Sequence, residues 1–261
     1  MVAGAADPVK PAPFRGNAES DIAAPAMLPA ARSLSALALT AALFLLCATP
    51  ARAQQQDEQL WLQVNTIVPL ATDARVTLEQ IARFSDRQDG LYQTEFGGLL
   101  EYRVAKGVQL GFGYRDVGAH NGNTADGEDR LRQQVVATFG AFTTRLRVDE
   151  RFSRGASDTA FRIRPLIRYN HRLNPHGLAL FVSHESFILP NSTSWGQRRG
   201  YERMRNVVGL MLPVAPTVSA DVGYLNQYRP ARGGARGQMD HALSLQLTIN
   251  LAAHPVAPTH D

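Results

Sequence analysis

The amino-acid sequence predicts an all-β fold, an antiparallel transmembrane β-barrel of about 10–12 strands. Many segments alternate strictly between apolar and polar residues, over stretches well beyond the roughly 5 or 6 residues of an ordinary strand. Short and long connections between these segments follow one another in turn along the chain. An apolar segment that has the features of a secretory signal peptide precedes the first alternating segment.

The clearest alternation lies in a hairpin over residues 91–116, with a turn at residues 105–107. On its first strand, Tyr92, Phe96, Leu100, Tyr102 and Val104 share one face, and Gln93, Glu95, Glu101 and Arg103 share the other. Alternate side chains of a strand point to opposite faces of its sheet. One apolar face and one charged face are typical of a strand between lipid and a polar lumen.

Residues 27–53 are predicted to be a signal peptide that is cleaved between Ala53 and Gln54, which implies transport across an inner membrane. Its apolar run, residues 34–47, is shorter than the roughly 20 residues that span a bilayer as a helix. A lipoprotein site at Cys47 and an uncleaved anchor helix are the open alternatives. Residues 1–26 are predicted to be a disordered, overlong start.

Composition excludes several classes of function. Cysteine occurs once in the chain, at Cys47, so the region after the predicted cleavage site has no thiol for a disulfide, a nucleophile or a metal ligand. The net charge of +4 comes with 25 arginines spread along alternating segments rather than in one patch, which argues against nucleic acid as a partner. The seven histidines show no ligand spacing, and neither a metal nor a cofactor is predicted.

The barrel domain is predicted to cover residues 54–251, and a disordered tail to follow at 252–261. The predicted strands are about 59–68, 75–84, 91–104, 108–116, 130–139, 142–152, 159–172, 178–189, 201–212, 217–228 and 239–251. Pro165 lies inside the seventh and removes one ladder hydrogen bond. Eleven segments conflict with the even strand number usual for bacterial barrels.

Loop lengths predict how the barrel is oriented. Outer-membrane barrels have short periplasmic turns and longer extracellular loops. The long polar loops at 118–129, 190–200 and 229–237 are therefore predicted to face outward. A soluble β-sandwich is the rival fold, but it would not normally bury a face that carries Arg162, Arg164 and Arg168.

The polar faces supply the first candidate site, a lumen lined by charge. The predicted lining is Arg83, Glu95, Glu101, Arg103, Arg115, Arg145, Arg147, Asp149, Arg151, Arg162, Arg164, Arg168, Glu185, Arg203 and Arg205. One hypothesis is a narrow pore whose positive lining favours small anionic solutes. The other is a structural barrel, in which arginine–carboxylate pairs fill the lumen.

A second candidate site lies on the predicted lipid-facing side. His184 and Ser186 share one face of the eighth strand near the extracellular rim, and Glu202 begins the next strand. A serine, a histidine and a carboxylate that orients the histidine are the groups of a serine hydrolase. The arrangement resembles the His-x-Ser of outer-membrane lipid A deacylases in those two residues, and it predicts an alternative function, a lipid or ester hydrolase.

Several short motifs resemble a family of uncharacterised proteobacterial outer-membrane barrels, the domain-of-unknown-function family numbered 2490. The motifs are Trp61, LEQIARF at 78–84, YRV at 102–104, LGFGYRD at 110–116, RLRVDERF at 145–152, HESF at 184–187 and GYLNQ at 223–227. The resemblance implies an outer-membrane location, with membrane lipids and the barrel-assembly machinery as partners. It implies no established activity, substrate or catalytic residues.

Overall fold

The computed structural model describes residues 54–123 and 125–251. The predicted overlong start, the predicted signal peptide up to Ala53 and the predicted tail from residue 252 lie outside the described residues. The described part of the chain contains no helix that is long and apolar enough to cross a membrane.

Within the described residues the chain forms eleven β-strands. They are β1 (Gln55–Pro69), β2 (Ala74–Ser85), β3 (Gly90–Ala105), β4 (Val108–Ala119), β5 (Glu128–Phe139), β6 (Phe142–Ser153), β7 (Thr159–Arg172), β8 (Ala179–Leu189), β9 (Gly200–Ala215), β10 (Val218–Arg229) and β11 (Gln238–Asn250). Each corresponds to one predicted segment, with ends that differ by a few residues. The predicted all-β barrel is confirmed.

The strands close into a barrel in which every strand pairs with its neighbours along the chain. All of these sequential pairs are antiparallel, whereas the closing pair of β1 and β11 is parallel and runs from Gln55↔Gln238 to Ile67↔Asn250. An odd number of alternating strands leaves the first and last pointing the same way, so they can meet only in parallel. The barrel is therefore mixed, and its odd strand number needs no missing strand.

The barrel wall has an apolar outside and a charged inside. The outer face is exposed and carries Leu78, Phe96, Leu100, Phe112, Leu146, Ile167, Val182, Val208, Tyr224 and Leu243, among others. The buried inner face carries Glu79, Glu95, Arg115, Arg132, Arg147, Asp149, Arg164, Glu185, Gln227 and Asp240, among others. This is the reverse of a water-soluble domain, where buried charge is rare and the core is apolar.

Tyr92 departs from the predicted faces. The ladder between β2 and β3 shifts so that Arg83 pairs with Gln93 and Phe84 with Leu91, which leaves Tyr92 as the extra residue of a bulge. A bulge re-aims the side chain it contains. The Tyr92 hydroxyl donates a hydrogen bond of 3.1 Å to Oε1 of Gln59, on the inner face of β1.

The two ends of the barrel differ in the length of their connections. We call one the short-turn end; its connections are residues 70–73, 106–107, 140–141, 173–178 and 216–217. The opposite, long-loop end has connections at residues 86–89, 120–127, 154–158, 190–199 and 230–237. Because the strand number is odd, β1 begins at the long-loop end and β11 finishes at the short-turn end.

Candidate functional site

The structure places most of the predicted lumen residues on the buried inner face. The buried residues are Glu95, Glu101, Arg115, Arg145, Arg147, Asp149, Arg162, Arg164, Arg168, Glu185 and Arg205. The side chains of Arg83, Arg151 and Arg203 also point inward and are at most 18% exposed. These side chains share the inner face because they occupy alternate positions along their strands.

Arg103 is the exception, and the prediction that it lines the lumen is wrong. Its side chain is 49% exposed and lies 3.6 Å from Asp73, beside the turn that joins β1 to β2. It shares the inward face of β3 with Glu101, but it lies close to the strand end. There the barrel has already opened to solvent, so the guanidinium meets water at the short-turn end.

One half of the lumen is organised around Glu79 and Glu95. Glu95 forms ion pairs with three arginines. Its carboxylate oxygens lie 3.0 Å from a guanidinium nitrogen of Arg83, 2.8 Å from one of Arg115 and 3.5 Å from one of Arg130. Glu79 forms an ion pair with Arg115 at 2.8 Å and a second ion pair with Arg132. Each carboxylate thus neutralises more than one guanidinium, which suits the planar, five-donor fork of arginine.

The other half is organised around Asp149 and Glu185. Asp149 forms ion pairs with Arg162 at 2.7 Å and with Arg164 at 3.4 Å. Glu185 forms ion pairs with Arg145 at 2.6 Å, with Arg164 at 2.9 Å and with Arg205 at 3.4 Å. Because Arg164 touches both carboxylates, these charges form a continuous network across the four strands β6 to β9.

Aromatic rings lie between these arginines. Trp61 lies 4.1 Å from the guanidinium carbon of Arg83 and 4.5 Å from that of Arg205, measured to the ring centroid. Phe187 lies 4.8 Å from Arg164 and 5.0 Å from Arg205. A ring face attracts a cation, so these contacts add to the attraction supplied by the carboxylates.

Several members of this network were not predicted as lumen residues. They are Trp61, Arg75, Glu79, Glu128, Arg130, Arg132, Phe181, Phe187, Asp221 and Asp240. The same alternation would have found some of them, because Arg130 and Arg132 share a face of β5, and Arg75 and Glu79 share a face of β2 with Arg83.

The network fills the middle of the lumen. The cavity beside Trp61, Arg164 and Arg205 has a volume of only about 60 Å³, which is enough for a few water molecules. A larger cavity of about 620 Å³ lies at the short-turn end, lined by Arg75, Gln134, Arg145 and Asn170 among others. The cavity at the short-turn end thus borders a layer of buried ion pairs, beside which the second cavity is small.

The second site is a cluster of His184, Ser186 and Asn206 on the outer wall. Nε2 of His184 lies 3.0 Å from the Ser186 hydroxyl oxygen. Nδ1 of the same ring lies 2.8 Å from Oδ1 of Asn206. The Tyr201 hydroxyl lies 3.3 Å from that of Ser186. A hydroxyl, an imidazole and an amide oxygen are thus hydrogen-bonded in sequence.

The strands explain why these groups meet. His184 and Ser186 are two residues apart on β8, so both side chains leave the same face of the sheet. Asn206 on β9 lies directly opposite His184 in the antiparallel ladder. Directly opposed residues place their Cβ atoms roughly 5 Å apart, which is close enough for their side chains to bond.

Glu202 does not belong to this cluster, and the prediction that it lies beside His184 is wrong. The ladder between β8 and β9 pairs Phe187 with Arg203 and Ile188 with Tyr201, so Glu202 is the extra residue of a bulge. Its carboxylate bonds to the inward-facing Arg203. Sequence reasoning missed Asn206 because only the register of β9 on β8 reveals it.

The cluster is one end of a longer polar row across the outer wall. Ladder pairs link His184 to Asn206, Asn206 to Asn226, Asn226 to His241 and His241 to Glu58. These residues occupy successive positions on β8, β9, β10, β11 and β1. Polar side chains therefore cross five adjacent strands on a face that is otherwise largely apolar.

No group of three or more His, Cys, Asp or Glu side chains within residues 54–123 and 125–251 is placed to hold a metal ion. The acidic residues of the lumen instead form ion pairs with arginine side chains.

Comparison with known proteins places the chain in a family. Residues 58–238 match the family model described as "Protein of unknown function (DUF2490)". The chain belongs to this family. An uncharacterised protein of Methylorubrum extorquens is 32% identical over 216 residues, which cover 78% of this chain and 93% of the relative.

A solved structure from a study of the in-meso crystallisation of membrane proteins is also similar to the chain. The similarity covers 70% of this chain and 79% of the other, at 13% sequence identity and a TM-score of 0.37. It is too distant to bear on the fold or the function.

Proposed function

We propose that this DUF2490 protein is a β-barrel of a bacterial outer membrane whose lumen is closed, so that it acts as a structural barrel and not as a channel. The observation that carries the proposal is the inverted distribution of polarity, with ion pairs inside the barrel and an apolar wall outside. Its partners are then outer-membrane lipids and, during biogenesis, the barrel-assembly machinery.

The apolar wall supports membrane insertion. Large exposed side chains such as Leu78, Phe112, Ile167, Val208 and Leu243 lie on strands distributed around the barrel. A soluble monomer rarely exposes a contiguous apolar patch larger than roughly 300–600 Å². Strands of about 12 residues, rising roughly 3.3 Å per residue and tilted about 40°, reach roughly 30 Å along the barrel axis, which is the thickness of a bilayer core.

Aromatic residues support the same placement. At the short-turn end, the rings of Phe139 and Phe142 lie 5.9 Å apart, and those of Phe142 and Tyr169 lie 5.1 Å apart. Near the long-loop end, Phe161 and Tyr201 are exposed on the outer wall. Aromatic girdles at both interfaces are typical of transmembrane barrels.

The packed lumen favours a structural barrel over an anion-selective pore. An anion that enters the vestibule would meet Arg145 and Arg164, which already share Glu185 at 2.6 and 2.9 Å. Passage would break these buried pairs and leave Glu185 facing the entering anion. Breaking a buried pair costs about 3–5 kcal/mol, and several pairs would have to break in succession.

Two measurements on refolded residues 54–261 test membrane insertion. We expect a folded band that migrates differently from the boiled sample in detergent gels, and flotation with phosphatidylethanolamine–phosphatidylglycerol vesicles on a density gradient. A protein that remains soluble and monomeric without detergent, and stays at the bottom of the gradient, would contradict the proposal.

A further inference from the structure

We propose that Ser186, His184 and Asn206 form a catalytic site that hydrolyses acyl esters of lipids at the outer wall of the barrel. The inference rests on the proposed membrane insertion, because the site lies on the wall that would face lipid. Its substrate class is an amphipathic lipid with an ester-linked acyl chain.

The hydrogen bonds fit the protonation state that the chemistry needs. If Nδ1 of His184 carries the ring hydrogen, it donates to Oδ1 of Asn206 at 2.8 Å. Nε2 is then free of hydrogen and accepts the hydroxyl hydrogen of Ser186 at 3.0 Å. Asn206 is thus a positioning residue that fixes the ring, in the role that asparagine plays in Cys-His-Asn proteases.

The reaction follows from these contacts. The Ser186 oxygen attacks the ester carbonyl carbon while its proton passes to Nε2 of His184. The tetrahedral intermediate collapses, the carbon–oxygen bond to the alcohol breaks, and the alcohol leaves with the proton from Nε2. Water then attacks the acyl-serine, again through Nε2, and releases the fatty acid and the free serine.

Tyr201 supplies a hydrogen-bond donor beside the nucleophile. Its hydroxyl lies 3.3 Å from the Ser186 oxygen, on the outer wall where an ester bound to that serine would lie. A phenol aimed at the developing negative charge of the carbonyl oxygen stabilises the transition state. The bulge that turns Glu202 inward is also what places Tyr201 opposite Ile188 on the outer face.

The surroundings suit one amphipathic molecule. Val182 and Ile188, on the same face of β8, are exposed and would contact acyl chains. The polar row that continues through Asn226 and His241 offers hydrogen bonds to a headgroup. Charged and amide side chains on a lipid-facing wall are unfavourable unless they meet polar partners, and a headgroup supplies such partners.

The depth of the site matches the position of lipid esters. Ser186 is three residues from Leu189, the end of β8 at the long-loop end, or about 10 Å along the strand. Ester linkages lie at the boundary between headgroup and hydrocarbon, where water also reaches. The nucleophile, the ester and the water for the second step therefore meet at the same depth.

The test measures release of 4-methylumbelliferone from its palmitate ester in detergent micelles by folded residues 54–261. We expect the parent protein to release the fluorophore and Ser186→Ala to lose the activity by at least about 100-fold. The matched control is Thr94→Ala, because the Thr94 hydroxyl lies 2.7 Å from Nε2 of His120 elsewhere on the wall. We expect Thr94→Ala to keep the parent rate.

Asn206 has a test that a purely structural role would not satisfy. Asn206→Asp places a carboxylate beside Nδ1, which stabilises the imidazolium and keeps the base protonated to higher pH. We expect the acidic limb of the kcat/KM profile to shift to higher pH in Asn206→Asp, while Asn206→Ala lowers kcat/KM without that shift. Identical profiles for the parent and Asn206→Asp would contradict the positioning role.

The outcomes separate this inference from the proposed function. Gel mobility and vesicle flotation are measured on the same preparations, so failure there overturns both. A protein that passes both but releases no fluorophore above the micelle blank overturns the catalytic site alone. Retention of a tenth or more of the parent rate by Ser186→Ala does the same.

Discussion

At the scale of single residues, the buried carboxylates determine whether the charged lumen is stable. Glu95 is 1% exposed and holds the guanidinium groups of Arg83, Arg115 and Arg130. Taking charges out of water is costly, and the attraction between opposite charges offsets that cost only while both partners are present. Removing one carboxylate therefore leaves several cations facing one another.

We predict that Glu95→Gln lowers the free energy of unfolding by about 3–5 kcal/mol. The amide keeps the shape of the side chain but loses the charge that neutralises three arginines. Urea unfolding of the detergent-solubilised barrel, followed by tryptophan fluorescence, measures the change. Glu58→Gln is the control, because Glu58 is exposed on the outer face; equal midpoints for the two variants would contradict the role of Glu95.

Alternation along a strand is enough to assign a side chain to one face of the sheet. Glu101 and Arg162 were placed on the inner face because each shares a strand with other charges at every second position. Glu202 was misplaced because it is the extra residue of a bulge in β9, whereas Asn206 was missed because only the register between β8 and β9 shows that it lies opposite His184. A bulge cannot be recognised from the alternation of apolar and polar residues in the sequence.

At the scale of the strand pair, the approach of β3 to β4 depends on glycine. A Cβ atom built on Gly97 would lie 2.4 Å from the backbone oxygen of Tyr114 and 3.0 Å from Cα of Arg115. Neither backbone atom can move without disturbing the ladder. Gly97 lies between Glu79 and Arg115 in the ladder, so its lack of a side chain lets Arg115 pass over β3 to reach Glu79.

We predict that Gly97→Ala destabilises the barrel by more than 2 kcal/mol, since overpacking a tight site costs about 1–3 kcal/mol and the neighbours here are backbone. Gly98→Ala is the control, because its nearest neighbour would be a Leu78 methyl at 3.7 Å. Urea midpoints of the two variants give the comparison. A smaller effect for Gly97→Ala than for Gly98→Ala would contradict the packing described here.

The strands could be predicted because each one alternates with a period of two. The closure of the barrel, in which β1 pairs with β11, could not be predicted in this way. Pro165 lies in β7 as predicted, with its ladder to β6 intact, but the ladder to β8 has no pairs between Ile163↔Ile188 and Leu166↔Glu185. The pairing of β1 with β11 joins segments far apart in sequence. Local patterns carry no information about such a contact.

At the scale of the whole molecule, the odd strand number places residues 55 and 250 at opposite ends of the barrel. Across a membrane these two residues would therefore lie on different sides. In the proposed outer-membrane orientation, with the long loops outside, β1 would begin on the outer side and β11 would end in the periplasm. Barrels with an even strand number place both ends on one side.

This topology can be tested with single cysteines, because no cysteine follows Cys47 in the sequence. In intact cells, we predict that a membrane-impermeant maleimide labels Gln55→Cys and Ser192→Cys, which lie at the long-loop end, but not Thr217→Cys at the short-turn end. Labelling of all three after lysis is the control. Labelling of Thr217→Cys alone in intact cells would reverse the orientation.

Planar-bilayer conductance of refolded residues 54–261 tests the proposal that a charged network closes the lumen. The protein should first show the gel shift of a folded barrel, and a porin inserted in the same bilayer should show that channels are detected. We predict no discrete current steps from this protein at either polarity. Reproducible, anion-selective steps would contradict a closed lumen, because they would show that solutes pass the layer around Asp149 and Glu185.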